Sequence, residues 1–312
     1  MSGYQTIHGV HHHFGWDNGL EPVLRVAPGD ALELEAIDAS GGQLSQGSST
    51  ADVARLDFAR VNPVTGPVYV EGAEPGDALE VELLEFELGS WGWTALIPGF
   101  GLLADEFTEP FLHLSRYDAK GVAFTPEITL PTRPFPGTIG VAPAEAGRHS
   151  VVPPRAVGGN LDIRDLVRGA KLYLPVAVPG ALFSLGDTHA AQGDGEVCGT
   201  AVETAMKVRL RLKLKKQAGL RRVQYELPAA APSGAAEAGA GGVYATTGIG
   251  PDLFGAARDA VRDMIDHLGR AYGLAPELAY ALCSVAVNLK ISEVVDAPNW
   301  VVSACLPKGI FH

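Results

Sequence analysis

The chain begins in period two. In "VAPGDALELEA" (26–36) and "AEPGDALEVELLEF" (73–86), a Pro-Gly-Asp turn precedes alternating apolar positions: Leu32 and Leu34 in the first, Leu79 and Val81 in the second. Such alternation turns one face of an extended segment to a core and the other to water. The two stretches share P-G-D-A-L-E-x-E, 47 residues apart, the same turn chemistry used twice in one sheet protein. Period two returns at 206–215, where Lys207, Arg209, Arg211, Lys213 and Lys215 alternate with Val208, Leu210, Leu212 and Leu214. That predicts an amphipathic strand with the cations on its wet face. "RRVQYEL" (221–227) is expected to pair back as a hairpin.

Between these strands, residues 88–158 are rich in Gly, Pro and aromatics and read as long ordered loops. In "GGNLDIRDLVRGA" (158–170), Asn160 is placed to cap a short helix that ends near Gly169. "AAPSGAAEAGAGG" (230–242) is low-complexity and is expected to be a mobile loop. The period then changes. From Asp252 to Tyr272, Leu253, Ala256, Ala257, Ala260, Val261, Met264 and Leu268 recur at helical spacing, and Gly273 closes the pattern. A second helix is expected from Pro276 to Lys290.

Strands followed by helices, without regular alternation, indicate an α+β fold. It is dominated by antiparallel β-sandwich-like sheets with long Gly/Pro loops and two C-terminal helices. The organisation read from this is one large domain over 1–312: a β-rich core to about 230, and a helical segment, about 252–290, packed on it.

Charge narrows the partners. With 24 basic and 36 acidic residues the chain carries −12, and its one basic cluster is the alternating strand. Nucleic-acid binding needs clustered Lys and Arg on one surface, so it is excluded. The opening residues lack the cationic start and apolar stretch of a signal peptide. No apolar run reaches the roughly 20 residues that span a bilayer, so no membrane partner is expected. Three cysteines suit a reducing compartment, and the expected location is cytoplasmic.

One stretch concentrates chemistry. "LFSLGDTHAAQGDGEVCGTAVE" (182–203) holds two Asp, two Glu, one His and one Cys, with no Lys or Arg. Asp187 and His189 are two apart, so on an extended segment they face the same side and suit a shared Zn²⁺. Asp194 and Glu196 flank Gly195, which lets the backbone bend closely round an ion or substrate. Glu203 is a further ligand or a partner to one. Acids this dense repel one another unless a cation or proton intervenes. Cys198 is a possible nucleophile, although acidic neighbours raise a thiol pKa; burial as a small apolar residue is the other reading. A second cluster, "HHHFGWDN" (11–18), places His11 and His13 on one side of a strand. Asp38 ends a strand before a Gly turn, as a turn residue or a site residue.

The chain resembles the acetamidase/formamidase family, hydrolases that release ammonia from short aliphatic amides. The resemblance runs through "HFGWDN", "PGDALELEAIDASGGQ", "TGPVYVEGAEPGDALEVE", "PFPGTIGVAPA", "GGNLDIRDL", "GDTHAAQGDGEVCGTAVE" and "SEVVDAPNWVVSACLPKGIF". It implies a β-sandwich-like core with added helices and a divalent metal in the site, zinc ahead of calcium. It implies His13, Asp38, Asp187 and His189 as metal ligands, with Glu196 and Asp194 catalytic. Trp16, Gly195 and Cys198 are expected at the substrate, and the assembly is expected to be a homo-oligomer. Only Val197 separates Glu196 from Cys198, where formamidase-like members carry an insertion, which leaves the preferred amide open. Two other readings stay open: a cysteine amidase using Cys198, and a non-enzymatic module holding a structural Ca²⁺.

Overall fold

The alternating stretches become neighbours in one sheet. The computed structural model describes residues 4–118, 121–229 and 241–311. Strands Ala31–Ala36 and Ala78–Leu88, the two that follow Pro-Gly-Asp, lie on either side of Met206–Lys215, both antiparallel to it. Arg209 reaches Glu33 at 2.7 Å and Glu85 at 2.8 Å, and Lys213 reaches Glu82 at 3.0 Å. The predicted wet face is therefore a paired face, each cation lying between glutamates of its two neighbours. Exposed pairs contribute only about 0–1 kcal/mol each, but a one-residue slip would turn these charges into the core. Opposite them Leu32, Leu34, Val81, Leu83, Leu210 and Leu212 are fully buried.

These strands belong to a nine-stranded sheet. Beyond Ala78–Leu88 it continues through Lys171–Pro175, Gln224–Leu227, Val243–Gly250 and Trp300–Pro307 to the edge strand Asn288–Glu293; Gln5–Ile7 forms the other edge. A six-stranded sheet centres on Phe183–His189, between Phe135–Val141 and Val64–Val70. Its Phe135, Ile139, Phe183 and Leu185 share one core with Leu34, Leu83, Leu172 and Leu210 of the larger sheet. The mainly antiparallel sandwich with its C-terminal helices is the α+β fold that the periodicity predicts.

Four local expectations are corrected. Residues 88–158 contain the strands Trp91–Leu96, Phe111–Asp118, Gly121–Thr125, Ile128–Leu130 and Phe135–Val141. Pro98, Pro110, Pro126, Pro131 and Pro134 fall between strands, where no ladder hydrogen bond is lost. Asn160 caps no helix; it ends the short strand Gly158–Asn160 and binds side chains of the site. Gln224–Leu227 pairs with Lys171–Tyr173 and Val243–Gly250 instead of with 206–215, whose two edges are already occupied. The second C-terminal helix stops at Ala286, because 288–293 alternates and adds to the edge of Trp300–Pro307. The expected mobile loop lies outside the described residues except for Gly241 and Gly242.

Three helices are described: α1 (Thr50–Val53), α2 (Leu253–Tyr272) and α3 (Pro276–Ala286). Asp252 caps α2 by accepting from the Gly255 N–H at 2.7 Å, and Gly273 ends it at φ +67°. Ala256, Ala260, Met264 and Leu268 pack on Val302, Ala304 and Leu306 of the large sheet. None of the described helices is long and apolar enough to cross a membrane.

His267 of α2 stacks on Tyr244, ring centroids 3.5 Å apart. Burial, then the nearby Arg270, lowers its pKa from the ordinary 6.5 to about 4. The fold thus favours the neutral ring, and this contribution is complete above about 6.5 and lost as pH falls towards 4. His267→Phe keeps the stack and removes the titration. The Tm difference between parent and variant, followed by calorimetry from pH 7 to 4.5, is expected to move in the variant's favour as pH falls.

Candidate functional site

The central strand of the six-stranded sheet delivers Asp187 and His189 into the interior, where His189 is fully buried. Its Nε2 lies 3.1 Å from Glu203 Oε2, 3.3 Å from Asp187 Oδ1 and 3.8 Å from Glu196 Oε1. Its Nδ1 lies 2.9 Å from Gln192 Oε1 and 3.7 Å from Asp162 Oδ1. Glu203 is fixed from two sides. Its backbone pairs with Trp93, and its Oε1 accepts from the Ala201 N–H at 2.8 Å. Glu293 and Asp296, past the edge strand, complete the ring: Glu293 Oε1 accepts from the Asp296 N–H, and Asp296 Oδ2 from Asn160 Nδ2.

Three of these acids stand in left-handed backbone: Asp162 at φ +44°, Asp187 at +50° and Glu196 at +47°. Such conformations cost about 1–3 kcal/mol each and persist where the surroundings over-determine them, often at working sites. Gly137 lies beneath: a Cβ there would stand 2.3 Å from Asp162 Oδ1 and 2.7 Å from His189 Cε1. Only hydrogen leaves room for the cluster.

Six buried carboxyls, those of Asp162, Asp187, Glu196, Glu203, Glu293 and Asp296, surround one imidazole. Burial, reinforced by the Asp187 charge, raises Asp162 to about 6. Burial outweighs the pull of His189 and raises Glu203 to about 7; burial alone dominates at Glu293, raised to about 8. Glu196 and Asp296 are pushed well above the carboxylate range by burial and then by Asp162. Burial opposes charge on His189, but Glu203 and Asp187 overcome it and hold the imidazole well above its ordinary value. Both oxygens of Asp162, Oε2 of Glu203 and Oε2 of Glu293 are buried without a hydrogen-bond partner.

Unpartnered buried oxygens beside a ring nitrogen fit a cation, which would relieve the repulsion that now raises these pKa values. Two ligand sets exist among the described residues, Asp187–His189–Glu203 and Asp162–His189–Glu196, each with donor atoms within 4.8 Å of one another. One wall of a cavity of about 200 Å³ is formed by Asp187, Glu196, Glu203 and Asp296. The other is apolar, with Leu56, Phe58, Val61, Trp93, Ile97 and Phe100. At ~30 Å³ per liquid water, this is room for a very small molecule.

The structure brings Asp187, His189 and Glu196 together and adds Glu203. Gly195, at φ +89°, gives its N–H to Ser292 O and so ties the loop that presents Glu196 to the edge strand. Asp194 turns away towards Arg164 and Lys290, at 3.4 and 2.9 Å. Cys198 is half-buried, with Sγ directed to Thr200 O at 3.2 Å. Asp38 accepts from Trp93 Nε1 at 3.0 Å and from Ser40, so it braces the apolar wall. His13 stays outside the cluster: its ring nitrogens contact Ser184 Oγ at 2.9 Å and Gly15 O at 2.7 Å, with Trp16 against its edge.

Sequence reasoning assigned no role to Asn160, Asp162, Glu293 or Asp296. Their signal was present as acids in apolar runs without cations: Asp162 between Leu161 and Ile163, and Glu293-Val-Val-Asp296.

The chain matches the model of the Acetamidase/Formamidase family over residues 5–151 and 144–312. It is 30% identical to the formamidase of Methylophilus methylotrophus, covering 96% of this chain and 89% of that protein. The crystal structure of a predicted acetamidase/formamidase from Thermoanaerobacter tengcongensis superposes with a TM-score of 0.88 at 33% identity, over 98% of this chain and 96% of that one. An acetamidase from Bacillus halodurans gives 0.88 at 31%, over 98% of each. The chain belongs to the acetamidase/formamidase family.

Proposed function

We propose that the cavity beside His189 hydrolyses the C–N bond of short aliphatic amides by metal-assisted attack of water, yielding a carboxylic acid and ammonia. As a member of its family the protein is an amidase. The observation that carries the mechanism is the convergence of His189, Asp187, Glu203 and Glu196 on one wall of a very small cavity.

Asp187, His189 and Glu203 would hold the ion, and the nitrogen among their donors places zinc ahead of calcium. A bound divalent ion supplies Lewis acidity, lowering the pKa of water from about 16 towards about 7. The residues do the rest. Glu196, which lines the cavity, accepts the proton of the attacking water and returns it to the departing nitrogen. The raised affinity of its carboxyl for protons suits both halves of that transfer. Gln192 Oε1, 2.9 Å from His189 Nδ1, accepts from that nitrogen and directs Nε2 at the acids. The apolar wall takes the acyl chain and excludes bulk water. Three free cysteines accord with a cytoplasmic setting.

The test is ammonia release from formamide, acetamide and propionamide by stripped protein and by aliquots resupplied with Zn²⁺ or Ca²⁺. Removal is expected to lower turnover about 10²-fold or more, and Zn²⁺ to restore it. Turnover indifferent to metal would transfer the chemistry to Cys198.

A further inference from the structure

Behind residues 196–200 lies a second cleft, of about 690 Å³, with the opposite chemistry. Glu196 and Thr200 line both spaces, so this segment is the wall between them. The Glu196 carboxylate reaches towards His189, on the first side. The second side is cationic and apolar, with Arg133 and Arg164 beside Phe124, Leu130, Pro131 and Val197. Behind them, nearly buried Lys290 meets Asp165 and Asp194. Arg133 also pairs with Asp165, and Arg164 with Asp194. Three cations thus share two carboxylates, an excess of positive charge in a chain of net charge −12.

The guanidinium edges are also incompletely used: Nε of Arg133 and Nε of Arg164 are buried without a hydrogen-bond partner. A planar guanidinium edge is matched by a carboxylate, which takes two parallel N–H bonds. The neighbouring Leu130, Pro131 and Val197 suit a short alkyl group.

We propose that this cleft binds the carboxylate of a short aliphatic acid, the product formed across the wall. The site rests on the unpartnered guanidinium edges; the origin of the anion rests on the amidase reading. A neutral amide suits the apolar wall of the first cavity. Its acid product, an anion among six buried carboxyls, is driven from there towards the nearest excess of positive charge.

The probe is sodium acetate, titrated calorimetrically into the full-length, metal-loaded protein against a sodium chloride control. Arg164→Gln is expected to weaken acetate binding about ten-fold, as loss of a charged bidentate contact does, while Arg164→Lys retains part of it. Val197→Trp, which fills the cleft from an exposed position (57% exposed), is expected to weaken it too, and stands as the test should Arg164→Gln misfold. In kinetics, acetate is expected to inhibit amide turnover with a non-competitive component that Arg164→Gln removes. Unchanged acetate affinity in folded Arg164→Gln and Val197→Trp would overturn the site. Arg164-dependent acetate binding in a protein that hydrolyses no amide would uphold the site and defeat the amidase reading alone.

Discussion

Glu196→Gln is expected to fold like the parent and to turn over acetamide about 10²–10⁴-fold more slowly. The substitution conserves size and leaves the φ of +47° no more strained, while removing the one function assigned to this side chain. Stability is expected to hold or rise. Glu196 is buried beside Asp162, whose charge opposes its ionisation, so a neutral amide relieves repulsion rather than orphaning a partner. Steady-state kcat and a calorimetric Tm measured on one preparation check both halves. A folded Gln variant with near-parental kcat would remove Glu196 as proton acceptor. The companion Cys198→Ala is expected to stay within a few-fold of the parent, because its thiol is turned to the Thr200 carbonyl rather than to His189.

Gly137→Ala is expected to be the most disruptive single-methyl addition at the site. The new carbon would stand 2.3 Å from Asp162 Oδ1 and 2.9 Å from the Asp187 carbonyl oxygen. Asp162 is fully buried and the Asp187 carbonyl is backbone of the central strand, so neither yields cheaply. Overpacking of this kind costs about 1–3 kcal/mol. Displacement of Asp162 and His189 is also expected to weaken Zn²⁺ binding about 10–100-fold, on the scale of a lost outer contact. Gly250→Ala, with nothing within 4 Å of its Cβ, is the control and should change neither. Denaturant melts and zinc titrations against a competing chelator report the two effects. Parental values for both in Gly137→Ala would show that the cluster is looser than its geometry implies.

Legibility in the sequence followed the range of the interaction. The period-two strands, the capped α2 and the D-x-H pair are each set within a few residues, and the structure contains them where the pattern placed them. The Glu-rich strands even announced the basic strand that separates them, since only that order pairs their charges. Errors came where a local signal had a long-range use. Asn160 has the composition of a helix cap but spends its amide on Asp296, 136 residues away. Residues 88–158 carry the prolines of a loop, yet their aromatic and β-branched runs find partners and pair.

The sequence by itself determined the sheet-forming segments, the facing of their side chains and the acid-rich stretch from Asp187 to Glu203. Only the tertiary structure decided which acids surround His189. Glu203 arrives through its bridge to Trp93 and His189, Asp162 through the turn over Gly137, and Glu293 through its bridge to Gly195. It also assigned Asp38 to Trp93 and His13 to Ser184, outside the ring of acids. The physical reason is that periodicity records which face of a strand is buried, whereas a site is made where distant strands cross, and that register is set by packing of the whole sandwich.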